Sequence, residues 1–175
     1  MECQFLGSEA DGPTLRLDHE EFAYAGKFVM SSTGKTVARE DGALVGAVAF
    51  NEDNTDPETV HLRYVTVRED RRGEGIGPRL LRFTAVELSE EYETVEIAVN
   101  NPMAYEACYR AGFVYTGEQA GIAELRMAYR SGGRDAERYR AGFDRFRERD
   151  LPPEHEAVCD RHAEGDPPAL VDVSG

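Results

Sequence analysis

The sequence predicts an α/β (α+β) fold in which strands and helices interleave, and three observations carry that expectation. TVHLRYVTV at 59–67 is rich in β-branched and aromatic residues, as a strand requires, and it runs through a turn at 68–70 into RRGEGIGPRLL at 71–81. TVEIAV at 94–99 alternates through Val95, Ile97 and Val99 and leads into NPMAYEACYRAGF, which opens on a helix cap and closes on glycine. Residues 35–39 and 43–50 form two strand-like runs joined at Asp41-Gly42, a favourable tight-turn pair.

At 175 residues the chain has the length of one compact domain with a tail. The longest apolar run, LVGAVAF at 44–50, is far too short for a membrane span, and the start MECQFLGSEADG has no secretory pattern. Cys3, Cys108 and Cys159 make no disulfide framework, so the expected location is the cytoplasm. A net charge of -14 disfavours nucleic acid and favours cationic partners at long range. Lysine supplies only two of the twenty basic residues, Lys27 and Lys35, which suggests the solvated acidic surface of a salt-adapted protein.

Against that background Arg68, Arg71, Arg72, Arg79 and Arg82 cluster, and a cationic patch on an anionic chain points to a small anion. The plainer reading is a helix start whose arginines pair with Glu69, Asp70 and Glu74. Downstream, Ile76, Leu80, Leu81, Phe83, Ala85 and Leu88 form an apolar stripe at helical spacing, with Pro78 tolerated in the first turn. The order is strand, basic glycine loop, helix. There the helix N-terminus offers free N–H groups, and the glycines admit a phosphate close to the backbone. A Walker loop fails for want of its lysine, and a dinucleotide fingerprint fails at Pro78.

What does fit is Arg-x-x-Gly-x-Gly, as Arg72, Gly75 and Gly77, after the strand end Val65-Thr66-Val67. This resembles the acetyl-CoA pyrophosphate loop of the GCN5-related N-acetyltransferase (GNAT) superfamily. A second segment, Asn101-x-x-Ala104 ending in Gly112-Phe113, is similar to the superfamily's second motif and lies at the expected distance from the first. Asn101 also suits an N-cap, Pro102 the first helical position and Gly112 a left-handed stop. The resemblance covers roughly residues 14–130. It implies a mixed, mostly antiparallel sheet flanked by helices, splayed near its middle with acetyl-CoA in the opening. Residues 1–130 are then an acetyl-CoA-binding N-acetyltransferase domain, and 131–175 a C-terminal extension.

On that resemblance the diphosphate is held by Arg71, Arg72, Gly73, Glu74, Gly75, Ile76 and Gly77. Val65, Thr66 and Val67 accompany the pantetheine arm, and Asn101 and Ala104 complete the cofactor set. The implied reaction is direct attack of a primary amine on acetyl-CoA in a ternary complex. A protonated amine has no lone pair, so a lysine-like acceptor, with a pKa of about 10, needs a base or a water chain. His61 is the first candidate, on the face expected for Arg63, Val65 and Val67. Glu20, Glu21 or Glu124 working through water are alternatives, and a strand histidine is more often packed or solvated.

The acid is where the chain departs from its relatives. Where the superfamily's tyrosine stands, four residues before the Gly-Phe pair, this chain has Cys108, with Tyr109 about 100° further round the helix. Cys108 can donate, Tyr105 can reach from one turn earlier, or solvent can serve; equally, Cys108 is a small core residue. A noncatalytic acyl-CoA-binding sensor or interaction domain of the same fold is therefore the alternative function.

Elsewhere the readings come from the residues alone. Asp18 and Glu21 have capping-box spacing ahead of Phe22, Ala25, Phe28 and Val29, which predicts one helix; either Glu2–Leu6 or Thr14–Leu17 is the first strand. After a strand at 113–116, the loop GEQAG leads to a last strand at 122–129. A glycine linker from Ser131 precedes an amphipathic helix through Tyr139, Phe143 and Phe146, stopped by Pro152-Pro153 and packed on the domain or on a second copy as a homodimer. His155, Cys159 and His162 share helical spacing, but with no fourth ligand and acidic neighbours no metal is assigned. Residues 166–175 read as a mobile end.

Overall fold

A computed structural model describes residues 1–130 and 132–172. Of the expected linker and chain end, Ser131 and residues 173–175 lie outside the described residues. The described chain forms a seven-stranded, mostly antiparallel open sheet in the order β1-β2-β3-β4-β5-β7-β6, with four α-helices. It divides into two compact units, Met1–Val95 with the chain end from Val171, and Glu96–Leu170.

In the first unit β1 (Glu2–Gly7), β2 (Gly34–Glu40), β3 (Ala43–Glu52) and β4 (Thr59–Val67) pair successively antiparallel. The first strand is therefore the Glu2 segment, not Thr14–Leu17. Asp41 and Gly42, at φ 52° and 80°, make the tight β2–β3 turn that the sequence foretells. Helix α1 (Ile76–Ser89) covers one face, and Gly46 permits its approach: a Cβ there would lie 3.2 Å from Leu80 and 3.4 Å from Ile76. Thr36 and Thr84 seal this contact with a buried hydroxyl pair at 2.5 Å, while Thr84 donates to the Leu80 carbonyl. The other face buries Leu15, Phe28, Val37, Ala47 and Ala49, with Tyr64 packed against them.

The helix expected after Asp18 does not form. Residues 18–28 are successive turns ending in a 3-10 segment at Ala25–Lys27, in which the Asp18 carboxylate accepts from Glu20 N–H and its carbonyl from Glu21 and Phe22. Tyr24 adopts the left-handed region (φ 60°, ψ 20°), which no helix continues through. Phe22, Ala25 and Phe28 are buried just as a helical face would bury them. So short a segment with Gly26 inside it gains little from helix propagation, and tertiary ties decide its path. The Phe28 carbonyl accepts from Leu15, and the Glu21 carbonyl accepts from Glu69.

The second unit holds most of β5 (Thr94–Val99), α2 (Pro102–Ala111), β6 (Phe113–Ala120), β7 (Glu124–Tyr129), α3 (Ala136–Arg147) and α4 (Pro153–Arg161). The GEQAG segment is not simply a loop: past an irregularity the β6–β7 ladder resumes with Gln119 opposite Leu125, and Ile122 lies fully exposed at the turn. Asp135 caps α3 by accepting from Arg138 N–H at 2.9 Å. This helix docks on the chain's own α2. Tyr139 stacks 5.5 Å from Tyr105 and lies 4.1 Å from Tyr109, and Phe143 meets Tyr105 edge-on at 4.9 Å between ring centres. It ends at Arg147, ahead of the prolines, and Pro153 opens α4 rather than merely closing α3.

Gly142 on α3 lies against Tyr105, where a Cβ would stand 2.2 Å from the ring. Gly142→Ala is expected to destabilise the protein by about 1–3 kcal/mol in thermal denaturation. Gly26→Ala, with open space around its Cβ, should be neutral or mildly stabilising, so equal losses would contradict this packing.

Candidate functional site

The β3–β4 pairing determines which side chains face which way. From Gly46 opposite Val67, through Val48–Val65, to Ala49–Tyr64 the register is regular; it then slips, and Phe50 faces Leu62 while Asn51 faces His61. The extra residue is Arg63, and a bulge of this kind reverses the alternation beyond it. Paired residues share a face, so His61 joins Tyr64 and Thr66, not Val65 and Val67 as strict alternation implies. Val67 lies instead on the α1 side, where its side chain is 3.6 Å from the position of a Gly77 Cβ.

His61 is held firmly. Its Nε2 lies 2.7 Å from an Asp53 carboxylate oxygen, across the β3–β4 hairpin. Asp53 in turn accepts from the Thr55 hydroxyl (2.9 Å) and from the N–H groups of Thr55 and Asp56 (each 3.0 Å). The bond with His61, followed by those from Thr55, keeps the Asp53 carboxyl well below the usual carboxylate range. Asp53 has no motif signature, and only the hairpin register could have disclosed it.

Beyond Val67 the chain makes a 3-10 turn at Glu69–Arg71 and enters the glycine loop. Gly73 and Gly75 take φ of 82° and 81°, which bulky residues reach only under strain, and Gly75 is the N-cap of α1. Apart from Gly73 itself and its two chain neighbours, no atom of the described residues lies within 4 Å of a Gly73 Cβ position. Arg71 is already engaged, donating to Glu40 at 2.6 Å and to Glu74 at 2.9 Å, and these bonds raise its pKa. Arg68 similarly pairs with Asp70 at 2.6 Å. Arg72 is exposed and, among the described residues, its side chain makes only a long 3.4 Å bond to the Val67 carbonyl. The buried Thr66 hydroxyl has no partner among the described residues.

Asn101, Ala104, Cys108, Tyr109 and Glu124 lie in the second unit. Asn101 caps α2 by accepting from Ala104 N–H at 2.8 Å, so these two hold one another. Cys108 is 2% exposed, and burial pushes its thiol up to about 12. Tyr109 donates to the Arg134 carbonyl and Tyr105 to the Tyr139 carbonyl, both at 2.8 Å, and burial raises the pKa of each. Tyr105, Cys108 and Tyr109 thus form one buried stripe at i, i+3 and i+4. Glu124 is exposed on β7, and Glu20 and Glu21 are exposed on the turns after Asp18. Of the three C-terminal metal candidates, Cys159 is buried and His162 stacks on Phe143 at 5.2 Å with Nε2 3.3 Å from Glu106. Among the described residues no group of three His, Cys, Asp or Glu stands close enough to hold a metal ion. Nor is any described helix long and apolar enough to cross a membrane.

The profile of the Acetyltransferase (GNAT) family matches residues 4–113, well over half of the 175-residue chain. The chain belongs to the GNAT family. No curated protein matches it by sequence. Solved structures similar to this GNAT protein include an IAA acetyltransferase from Bacillus cereus ATCC 14579, 19% identical with a TM-score of 0.49, over 73% of this chain and 97% of that one. A Bacillus subtilis acetyltransferase in complex with CoA is 17% identical, with a TM-score of 0.47 over 55% and 75%. The ribosomal-protein-alanine N-acetyltransferase from Brucella melitensis is 21% identical, with a TM-score of 0.44 over 55% and 67%.

In this GNAT chain the glycine loop and His61 belong to the first unit, whereas Asn101, Ala104, Cys108 and Tyr109 belong to the second. A group whose folded pKa lies above its unfolded value binds the proton more tightly when folded, so stability falls as pH rises between the two values. For Cys108 those values are 9.0 and about 12. The protein should therefore lose stability as pH climbs above about 9, and Cys108→Ala should lessen that alkaline loss in denaturant titrations at pH 8 and pH 10.5. Rapid alkylation of native Cys108 at pH 8 would contradict its burial.

Proposed function

We propose that the chain is an acetyl-CoA-dependent N-acetyltransferase that acetylates a primary amine by direct attack in a ternary complex. The observation that carries this reading is the left-handed pair Gly73 and Gly75 at the N-terminus of α1, with open space over Gly73 and the weakly held Arg72 beside it. Such a bend presents main-chain N–H groups and the positive end of a helix to a diphosphate. In this reading residues 71–77 cradle the diphosphate and the backbone of 65–67 lines the pantetheine arm, where the partnerless Thr66 hydroxyl offers a further polar contact. Arg72 supplies the direct cationic contact, while Arg71 braces the loop through Glu40 and Glu74. Asn101 and Ala104 contribute by fixing the start of α2.

Acetyl-CoA supplies the acetyl group as a thioester. His61 receives the proton of the attacking amine, with its ring oriented by Asp53. Cys108 and Tyr109 are not assigned the acid role, because the thiol is buried and the phenol is bonded to Arg134. A thiolate leaving group with a pKa of about 8.5 can take its proton from solvent near neutral pH. That burial is also the observation favouring the noncatalytic acyl-CoA-binding alternative. Binding of acetyl-CoA without CoA release from any amine in a broad panel would establish the alternative instead.

Arg72→Ala should weaken CoA affinity about tenfold by calorimetry with little change in thermal midpoint. Arg71→Ala should lower the midpoint more than the affinity, and the reverse ranking would contradict the assignment. His61→Ala should reduce kcat/KM by about a hundredfold near neutral pH. The deficit should shrink as pH approaches the acceptor's own pKa, where the free amine is abundant; parallel pH profiles would remove His61 from the mechanism.

A further inference from the structure

The face of β4 that carries His61 also carries Tyr64, and the turns after Asp18 bring a second aromatic ring to it. Tyr24 lies 5.9 Å from Tyr64 between ring centres, at 43° to it. It is one of two described non-glycine residues with positive φ; the other, Asp41, occupies a tight turn that favours it. A tyrosine has no such local preference, so its left-handed backbone is strain imposed from outside. The ring is nonetheless 59% exposed and forms no hydrophobic core. A strained, exposed aromatic residue set against a second ring is suited to receive something flat or apolar.

Charge narrows what that is. The Lys27 ammonium stands 5.6 Å from the Tyr64 ring centre and has no carboxylate partner among the described residues. Arg63, the bulge residue beside Tyr64, donates its Nε to Asn51 at 2.7 Å and likewise has no carboxylate partner among them. Asn51 is the residue opposite His61, so this guanidinium lies at the His61 end of the patch. Nearby cations at the loop are matched instead, Arg68 by Asp70 and Arg71 by Glu40 and Glu74. The acids on the turns are Asp18, Glu20 and Glu21; Asp18 caps Glu20 N–H, and Glu21 acts on Arg68.

We infer that the acceptor amine carries a carboxylate on an aromatic or apolar body, as a free amino acid does, with the body on Tyr24 and Tyr64 and the carboxylate at Lys27 and Arg63. The inference rests on the acetyltransferase reading and deepens it. In the transfer the amine nitrogen bonds to the acetyl carbon, the C–S bond breaks, CoA leaves as thiolate and the amine surrenders one proton. Overall charge points the other way, toward a polycation, but screening confines that preference to approach. Seating within about 4–6 Å of an unpaired ammonium is decided by the local charge.

The test is a set of acceptors with one body and different charge: phenylalanine, phenylalaninamide and phenethylamine, with spermidine as a polycation. Acetyl-CoA-dependent release of CoA should be at least about tenfold more efficient in kcat/KM for phenylalanine than for the other three, mostly through KM. Lys27→Met should collapse that preference, and Lys27→Arg should retain most of it. Tyr24→Ala should raise KM for phenylalanine, with circular dichroism confirming that each exposed-site variant folds. Spermidine or phenethylamine matching phenylalanine, or an unchanged preference in Lys27→Met, overturns the inference while leaving the acetyltransferase reading intact. Failure to bind CoA by calorimetry overturns both.

Discussion

One extra residue in β4 organises the first unit. Without Arg63 in the bulge, strict alternation would put His61 on the side of Val65 and Val67, against α1. With it, the strand presents Val65 and Val67 toward the helix and His61, Tyr64 and Thr66 toward the opposite face. The side that meets α1 and the side that carries His61 are thereby separated within nine residues of one strand. The helix side is closely packed: Gly46 lets α1 descend on β3, and Thr36 and Thr84 satisfy one another's buried hydroxyls. The opposite side rests on small residues, Ala47 and Ala49, and rises at its edge into the aromatic pair.

The arginine cluster illustrates why counting charges misleads. Five arginines between 68 and 82 look like one anion site, yet their surroundings differ. Arg68 and Arg71 are bonded to carboxylates, which is the ordinary fate of surface charge and contributes little to stability. Arg82 donates to the Val171 carbonyl. Arg79 lowers the pKa of Cys3, although burial outweighs it and raises that thiol. Arg72 is the member whose guanidinium faces solvent with only a weak internal bond. The diphosphate cradle proposed here would thus be mostly main chain, shaped by Gly73 and Gly75, while Arg71 holds the loop through Glu40 and Glu74.

The features legible in the sequence are those with local causes. β4 runs from Thr59 to Val67 as its composition implies, and Asn101 and Gly112 bound α2 because a cap and a left-handed stop are properties of single residues. The Asp41-Gly42 turn is legible for the same reason. What escapes the sequence is set by contacts far along the chain. The Asp18–Val29 segment has helical spacing, but its bonds to Leu15 and Glu69 hold it as turns. The face of His61 depends on a register slip against β3, and its partner Asp53 lies across the hairpin. Cys108 and Tyr109 look accessible in a helix taken alone; α3, more than twenty residues later, engages the tyrosines and buries the stripe. A burial signal was present in the aromatic spacing of Tyr139, Phe143 and Phe146, but not its target.

The scarcity of lysine gives the two that remain distinct meanings. Lys35 is fully buried, its ammonium donating to the carbonyls of Met30 and Thr33 with no carboxylate among those bonds, and desolvation lowers its pKa. It lies in the row Lys35–Ala49–Tyr64 across three strands, so it fixes the end of the turn segment over the same face that holds the aromatic pair. Lys27, from the same segment, is exposed and hovers over Tyr64. One lysine therefore holds the segment in place from beneath, and the other sets the charge it displays above. In the acceptor reading proposed above, an anionic group on a surface replete with carboxylates would meet this ammonium beside the Tyr64 ring.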